Sequence, residues 1–186
     1  QARGIKLNGT RTQFDAYYHE KLLGPVTLNL PGMHNAYNAL AAIGVGLELE
    51  LPFDRIQQAL SEFRGIQRRF QLRAEKKGIA WIDDYGHHPT EIKMTLASVK
   101  ALKHKRVVVL FQPHRYTRTK ALFSEFMTAF YDADVLIVSD IYAAGEAPVA
   151  GIDAEQFYAG LKKYGHKDVS LITDPDKTAK HLHAIL

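Results

Sequence analysis

Residues 106–119, RVVVLFQPHRYTRT, change from an apolar run to polar side chains within a few positions. The apolar run predicts a buried strand, and a helix over Thr117–Tyr131 is predicted to follow it. Similar strands are predicted at 79–83, 134–142 and 168–173, and helices at 89–102, 154–164 and 175–185 alternate with them. This alternation predicts βαβ units, so we expect an α/β fold with a mostly parallel sheet and helices on both faces.

The first third of the chain has a different pattern. β-Branched and aromatic residues at 10–20 and 23–32 predict two strands joined at the LLGP stretch, 22–25, and helices are predicted at 34–50 and 51–63. A basic connector follows, and we expect a domain boundary near 65–67 that separates residues 1–66 from residues 67–186. The chain begins within strand material, which suggests that it is part of a longer protein.

Composition excludes several classes of protein. Of 186 residues, 46% are hydrophobic, the net charge is +4 and cysteine is absent, so disulfide scaffolds and thiolate zinc sites are ruled out. No apolar run reaches the roughly 18 residues of a membrane span. The basic stretch KALKHKR, 100–106, is typical of a solvated helix end. We therefore predict a soluble cytoplasmic protein that binds neither nucleic acid nor membrane.

Two arginines follow the strand in 106–119. Arg115 and Arg118 are three residues apart at the start of a predicted helix, with His114 beside them. Two guanidinium groups near a helix N-terminus can bind a carboxylate or a phosphate. The alternative is a surface pair bound to acids such as Glu125. We favour the anion site, because ligands of open α/β sheets bind beyond the carboxyl ends of the strands.

The loop DDYGHHP, 83–89, follows another predicted strand and allows three interpretations. Asp83, Asp84, His87 and His88 could hold a divalent metal, although adjacent side chains diverge, so only one of each pair can face a common point. A carboxylate at a strand end could instead bind ribose hydroxyls. An aspartate could also cap the helix at Pro89 while the histidines make local hydrogen bonds. We favour contacts with a nucleotide or substrate.

A third polar motif is GMHNAYNALAA, 32–42, at the start of a predicted helix rich in small residues. Asn35 alone is typical of a helix cap. Asn38 lies about one turn further along, so two amides together with His34 could read the edge of a heterocycle. The spacing leaves these two interpretations open.

Taken in order, GMHNAYNALAA, GIQRRFQ, DDYGHHPTEI, FQPHRYTRT and DIYAAGEAP resemble the Mur ligases of peptidoglycan synthesis, over about Pro31 to Gly151. The resemblance implies a Rossmann-like amino-acid domain within an ATP-dependent amide ligase. Such an enzyme phosphorylates the muramate carboxylate with ATP and Mg²⁺, and an amine then attacks the acyl phosphate. The motifs are most similar to the branch that joins L-alanine to UDP-N-acetylmuramate. The alternatives are the murein tripeptide recycling branch and a metal-dependent hydrolase that uses 83–88.

The resemblance also implies roles for individual residues. Those expected to contact ATP are His34, Asn35, Asn38, Arg69 and Asp84. Those expected to bind UDP-N-acetylmuramate or L-alanine are Tyr85, His87, His114, Arg115 and Arg118, of which His87, Arg115 and Arg118 are also expected to be catalytic. No residue is expected to ligate a metal.

The chain departs from the family pattern in what it lacks. No G-x-x-x-x-G-K-[ST] phosphate loop occurs in it. The resemblance therefore implies that residues 1–66 are the end of a central ATPase domain and that 67–186 are an amino-acid domain without its last strand. ATP and Mg²⁺ would both need the missing part of the central domain. We expect this segment alone to be inactive.

Overall fold

Two units make up the computed structural model, which describes residues 1–186. The first unit is Gln1–Gln71 and the second is Leu72–Leu186. Each unit has its own hydrophobic core. None of the helices combines the length and the apolar character that crossing a bilayer requires.

The first unit consists of an antiparallel sheet and two helices. The strands pair in the order β1, β2, β3, and alternate residues of β2 are buried, which gives the sheet one apolar face. Phe14, Val26 and Ile43 are in this core. The element bounds are β1 Ala2–Asn8, β2 Arg11–Tyr18, β3 Lys21–Leu28, α1 Met33–Glu48 and α2 Phe53–Glu62.

The strands of this unit differ from the prediction in two ways. The sequence pattern predicts two strands here and not β1, whose side chains are mostly exposed and so carry no alternating pattern. The turn predicted at 22–25 lies within β3. The chain turns instead at His19 and Glu20, with φ of 43° and 63°. Because neither residue is glycine or asparagine, no turn signal was present in the sequence.

The second unit contains a parallel sheet of three strands in the order β6, β7, β8. The strand at 79–83 was expected in that sheet but instead pairs with its neighbour in a separate two-stranded sheet. Helices follow the strands as predicted, and the α/β fold class is confirmed. The element bounds are β4 Gln71–Lys76, β5 Ile79–Asp83, α3 Pro89–Ala101, β6 Val108–Phe111, α4 Tyr116–Ala121, α5 Phe123–Phe126, β7 Val135–Val138, α6 Ala154–Lys163, β8 Val169–Leu171 and α7 Pro175–Ile185.

The single helix predicted over Thr117–Tyr131 is wrong. Leu122, with φ −111° and ψ 19°, separates α4 from α5, and turns follow α5. Phe126 and Phe130 are fully buried in the core of the second unit. Packing of these large rings overrides the intrinsic helix propensity of the segment, so the chain forms two short helices and turns.

Aromatic rings dominate the core of the second unit. Phe111, at the end of β6, packs at 4.9 Å from Phe130 and 5.8 Å from Phe126, measured between ring centroids. Phe157 of α6 lies 6.0 Å from Phe111 and is fully buried. These rings hold α5 and α6 against β6, which positions the loop that follows this strand.

Candidate functional site

Four rings meet at one edge of the second unit. They come from the loops that follow β5, β6 and β7, and we call them the ring cluster: Tyr85, His87, His114 and Tyr142. The centroid of His114 lies 6.3 Å from that of Tyr85, 6.0 Å from that of His87 and 5.4 Å from that of Tyr142. The structure thus brings three predicted site residues together and adds Tyr142.

Backbone pairing holds two of these loops in place. His114 forms a parallel bridge with Tyr142 beyond the ends of β6 and β7. The Arg115 N–H donates to the Tyr142 carbonyl at 2.9 Å, and the Tyr142 N–H donates to the Pro113 carbonyl at 2.9 Å. The parallel register of the sheet therefore continues into the site and sets the position of the ring cluster.

Arg118 binds His114 within the same turn of chain. Its Nη1 donates to Nδ1 of His114 at 3.1 Å. Because a guanidinium group can only donate, Nδ1 must accept, and the proton of the neutral ring is on Nε2. Burial lowers the pKa of His114, and the nearby charges of Arg118 and Arg115 lower it further. At neutral pH, this side chain therefore presents an uncharged N–H donor.

Arg115 occupies an unusual backbone conformation immediately before α4, with φ 72° and ψ 135°. Its carbonyl accepts hydrogen bonds from the N–H and the Oγ1 of Thr119, at 3.1 Å and 2.8 Å. Since the left-handed region is unfavourable for a residue with a side chain, surrounding bonds must hold it. Its guanidinium group is half-exposed and lies 3.9 Å from Glu146.

Glu146 is the acid that faces Arg115, and the alternative partner Glu125 forms an ion pair with neither arginine. Its carboxylate accepts from the N–H of Thr117 at 3.1 Å and from the Thr117 Oγ1 at 2.7 Å. These hydrogen bonds, with a smaller effect from Arg115, lower the pKa of Glu146. The long helix expected to start here is instead α4, with six residues, and the Glu146 carboxylate accepts its hydrogen bonds in the first turn of that helix.

Sequence reasoning missed Glu146 and Tyr142 as individual residues. Both belong to the polar stretch 140–148, in which no single residue was predicted to be part of the site. The available signal was the position of this stretch directly after the strand at 135–138. The partner of Glu146, Thr117, is 29 residues away in the sequence, so no local pattern connects the two.

Local hydrogen bonds run through the loop 83–89. Asp84 Oδ1 accepts from the N–H of Gly86 at 2.7 Å, and His88 Nδ1 caps α3 by accepting from the N–H of Thr90 at 3.2 Å. His87 points elsewhere: its Nδ1 donates to the Tyr85 carbonyl at 2.9 Å. The two histidines diverge as expected, and only His87 joins the ring cluster.

The metal interpretation of this loop does not fit the structure. Nowhere in residues 1–186 do three or more His, Cys, Asp or Glu side chains lie close enough together to hold a metal ion. Asp84 and His88 are engaged with backbone groups as described above. The hydrolase alternative, which needs Asp83, Asp84, His87 and His88 around one ion, has no site here.

The remaining predicted residues lie in the first unit. His34 and Asn35 are in the first turn of α1, and the Asn35 Nδ2 donates to the Pro31 carbonyl at 2.7 Å, so one face of this amide supports the helix start. Asn38 is exposed one turn later. Arg69 lies just before β4, where its N–H donates to the Ile66 carbonyl at 3.3 Å.

Sequence comparison identifies the class of protein that this fold and site define. The Mur ligase, glutamate ligase domain family matches residues 68–186, and the chain belongs to this family. Its sequence is 50% identical to UDP-N-acetylmuramate–L-alanine ligase of Geobacter sp. (strain M21), over the whole chain and 41% of that protein. The ligase of the same name from Geotalea daltonii is also 50% identical, again over 41% of its length. The chain thus spans about two fifths of these relatives.

Solved structures agree with this assignment. UDP-N-acetylmuramate-alanine ligase MurC of Thermotoga maritima superposes with a TM-score of 0.80 at 27% identity, covering 96% of this chain and 38% of that one. MurF of Acinetobacter baumannii superposes with a TM-score of 0.74 at 20% identity over 99% of this chain and 38% of its own, a similarity of fold alone.

Proposed function

We propose that this chain is the amino-acid-binding part of a cytoplasmic, ATP-dependent ligase that joins L-alanine to UDP-N-acetylmuramate in peptidoglycan synthesis. The observation that carries the proposal is the convergence of Arg115, Arg118 and His114 with the rings of Tyr85 and His87 in one site. The 50% identity to ligases of that name over the whole chain supports the choice of alanine.

Arg118 and Arg115, the arginine pair, are proposed to bind the carboxylate of L-alanine. Arg118 is partly buried and held by His114, so its guanidinium group loses little conformational freedom on binding. His114 adds a neutral N–H donor at Nε2, which can bind a carboxylate or an oxyanion. A small monocarboxylate is therefore the kind of ligand that these groups suit.

His87 and Tyr85 are proposed to line the same pocket on the side of the reacting amine. Because Nδ1 of His87 donates to the Tyr85 carbonyl, the neutral ring presents a lone pair at Nε2. An amine attacks only when it is unprotonated, so a proton acceptor beside the ring cluster would favour the reaction. We propose that His87 orients the amine and accepts its proton.

ATP contacts are proposed for His34, Asn35, Asn38, Arg69 and Asp84. The chain carries no phosphate loop sequence and no group of three or more His, Cys, Asp or Glu side chains close enough together to hold a metal ion. We therefore propose that the triphosphate and its Mg²⁺ are held mainly by other parts of the enzyme. The amide and carboxylate groups suit only the adenine edge and the ribose hydroxyls, and the chemistry of phosphoryl transfer is assigned to other parts of the enzyme.

The test is phosphate release by the full-length protein with ATP, UDP-N-acetylmuramate and L-alanine. Release that requires both substrates is expected. In Arg118→Ala, kcat/KM for L-alanine should fall by about 10- to 150-fold, the effect of losing one charged hydrogen-bond interaction. The KM for ATP should stay unchanged, because Arg118 is assigned to the amino acid.

Lys120→Ala is the matched control, because Lys120 is an exposed cation on the same helix, α4. It should leave both KM values unchanged. Equal effects of Arg118→Ala on L-alanine and on ATP would contradict the carboxylate assignment while leaving the ligase function intact. Absence of alanine-dependent phosphate release in the wild-type protein would contradict the function itself.

A further inference from the structure

Glu146 is a carboxylate of the protein itself that faces Arg115, one member of the arginine pair. Its Oε1 and Oε2 accept both available hydrogens of Thr117, from the hydroxyl at 2.7 Å and from the N–H at 3.1 Å. Its Oε1 is 3.9 Å from Nη1 of Arg115. One of the two guanidinium groups of the site therefore already faces an anion.

The position of Glu146 is defined by the backbone that precedes it. Ala144 and Gly145 have φ of 50° and 85°, and the N–H of Glu146 donates to the Ala143 carbonyl at 3.0 Å. Two successive positive φ values with this hydrogen bond describe a tight reversal of the chain. The side chain is only 21% exposed. Glu146 is thus held in place by a turn and by Thr117, unlike a mobile surface acid.

The charged side chains around the arginine pair leave one net positive charge. Arg115 and Arg118 supply two positive charges, and His114 is neutral at neutral pH because burial lowers its pKa. Glu146 compensates one of these charges, and it faces Arg115. The arginine pair and Glu146 together keep one net positive charge for a ligand, so the site suits a single carboxylate.

We propose that Glu146 is a specificity-determining residue, which selects an amino acid with one carboxylate and rejects one with an acidic side chain. It acts by engaging Arg115 and by repelling a second negative charge, and so it positions the site without being a catalytic residue. The inference rests on the proposed function, since it concerns which amino acid that ligase accepts.

The experiment measures how well L-aspartate inhibits the addition of L-alanine by the full-length protein. In Glu146→Gln, one of the two oxygen acceptors for Thr117 remains, and the charge is lost. The ratio of the inhibition constant of L-aspartate to the KM for L-alanine should then fall about tenfold. The reason is that one partly screened repulsion between negative charges is removed. In Glu146→Ala, the bonds to Thr117 are lost as well, and the KM for L-alanine should rise while that for ATP does not.

Glu125→Gln removes a negative charge from the exposed face of the same unit and is the matched control, with no change expected in either quantity. An unchanged ratio of aspartate inhibition to alanine KM in Glu146→Gln would overturn the assignment of Glu146, even if alanine-dependent phosphate release is normal. Lack of that release in the wild-type protein would overturn the proposed function and this inference together.

Discussion

Two glycines of α1 should respond in opposite directions to the same substitution. Gly44 and Gly46 lie two residues apart in the helix, within IGVGLE. A Cβ at Gly44 would meet nothing within 4 Å, whereas a Cβ at Gly46 would lie 2.6 Å from Cδ1 and 3.0 Å from Cγ1 of Ile56 in α2. Replacement by alanine therefore separates helix propensity from packing within one element.

The magnitudes can be estimated for each variant. In a helix interior, alanine is more favourable than glycine by about 0.5–1 kcal/mol. Gly44→Ala should raise the free energy of unfolding by this amount, because no packing cost opposes it. At Gly46, overpacking adds a cost of about 1–3 kcal/mol, because Ile56 is buried and its β-branched side chain has few alternative rotamers. Gly46→Ala should thus be less stable than Gly44→Ala by about 1–3 kcal/mol.

Amide hydrogen exchange, followed by mass spectrometry on peptides that cover α1, measures the free energy of opening of this helix. Protection in Gly46→Ala should be about 5- to 150-fold lower than in Gly44→Ala. Peptides from the parallel sheet of the second unit serve as the internal reference. Equal protection of α1 in both variants would refute the reasoning, because it would show that Ile56 makes room without cost.

Two further predictions concern the second unit. Phe157→Ala should lower the free energy of unfolding of this unit by about 3–5 kcal/mol, because the ring is fully buried. Urea unfolding, followed by the fluorescence of the only tryptophan, Trp81, measures this free energy. A loss below about 1 kcal/mol would contradict the prediction. Burial lowers the pKa of His166 and of His114 below the ordinary value of 6.5. Just below that pH, the unfolded chain therefore binds more protons than the folded chain does. The free energy of unfolding should therefore rise with pH up to about 6.5 and then level off. In His166→Gln, the urea midpoint should depend less on pH. An unchanged pH dependence in that variant would contradict the role of His166.

Much of the fold could be predicted from local patterns. The apolar runs at β6, β7 and β8 and the helices that start at Pro89 and Pro175 lie close to the predicted positions, because these signals are contained in consecutive residues. β1 was missed because its mostly exposed side chains lack alternation. The break at Leu122 was missed because it depends on how the rings of Phe126 and Phe130 pack in the core.

By itself, the sequence determined which chemical groups follow each strand, and hence that arginine and histidine side chains would collect at one edge of the second unit. Only the tertiary structure decided their partners. The register of β6 and β7 sets His114 beside Tyr142, and the turn at Ala144 and Gly145 brings Glu146 to Thr117, 29 residues away. Such contacts depend on how distant segments pack, and a local sequence pattern carries no information about that distance.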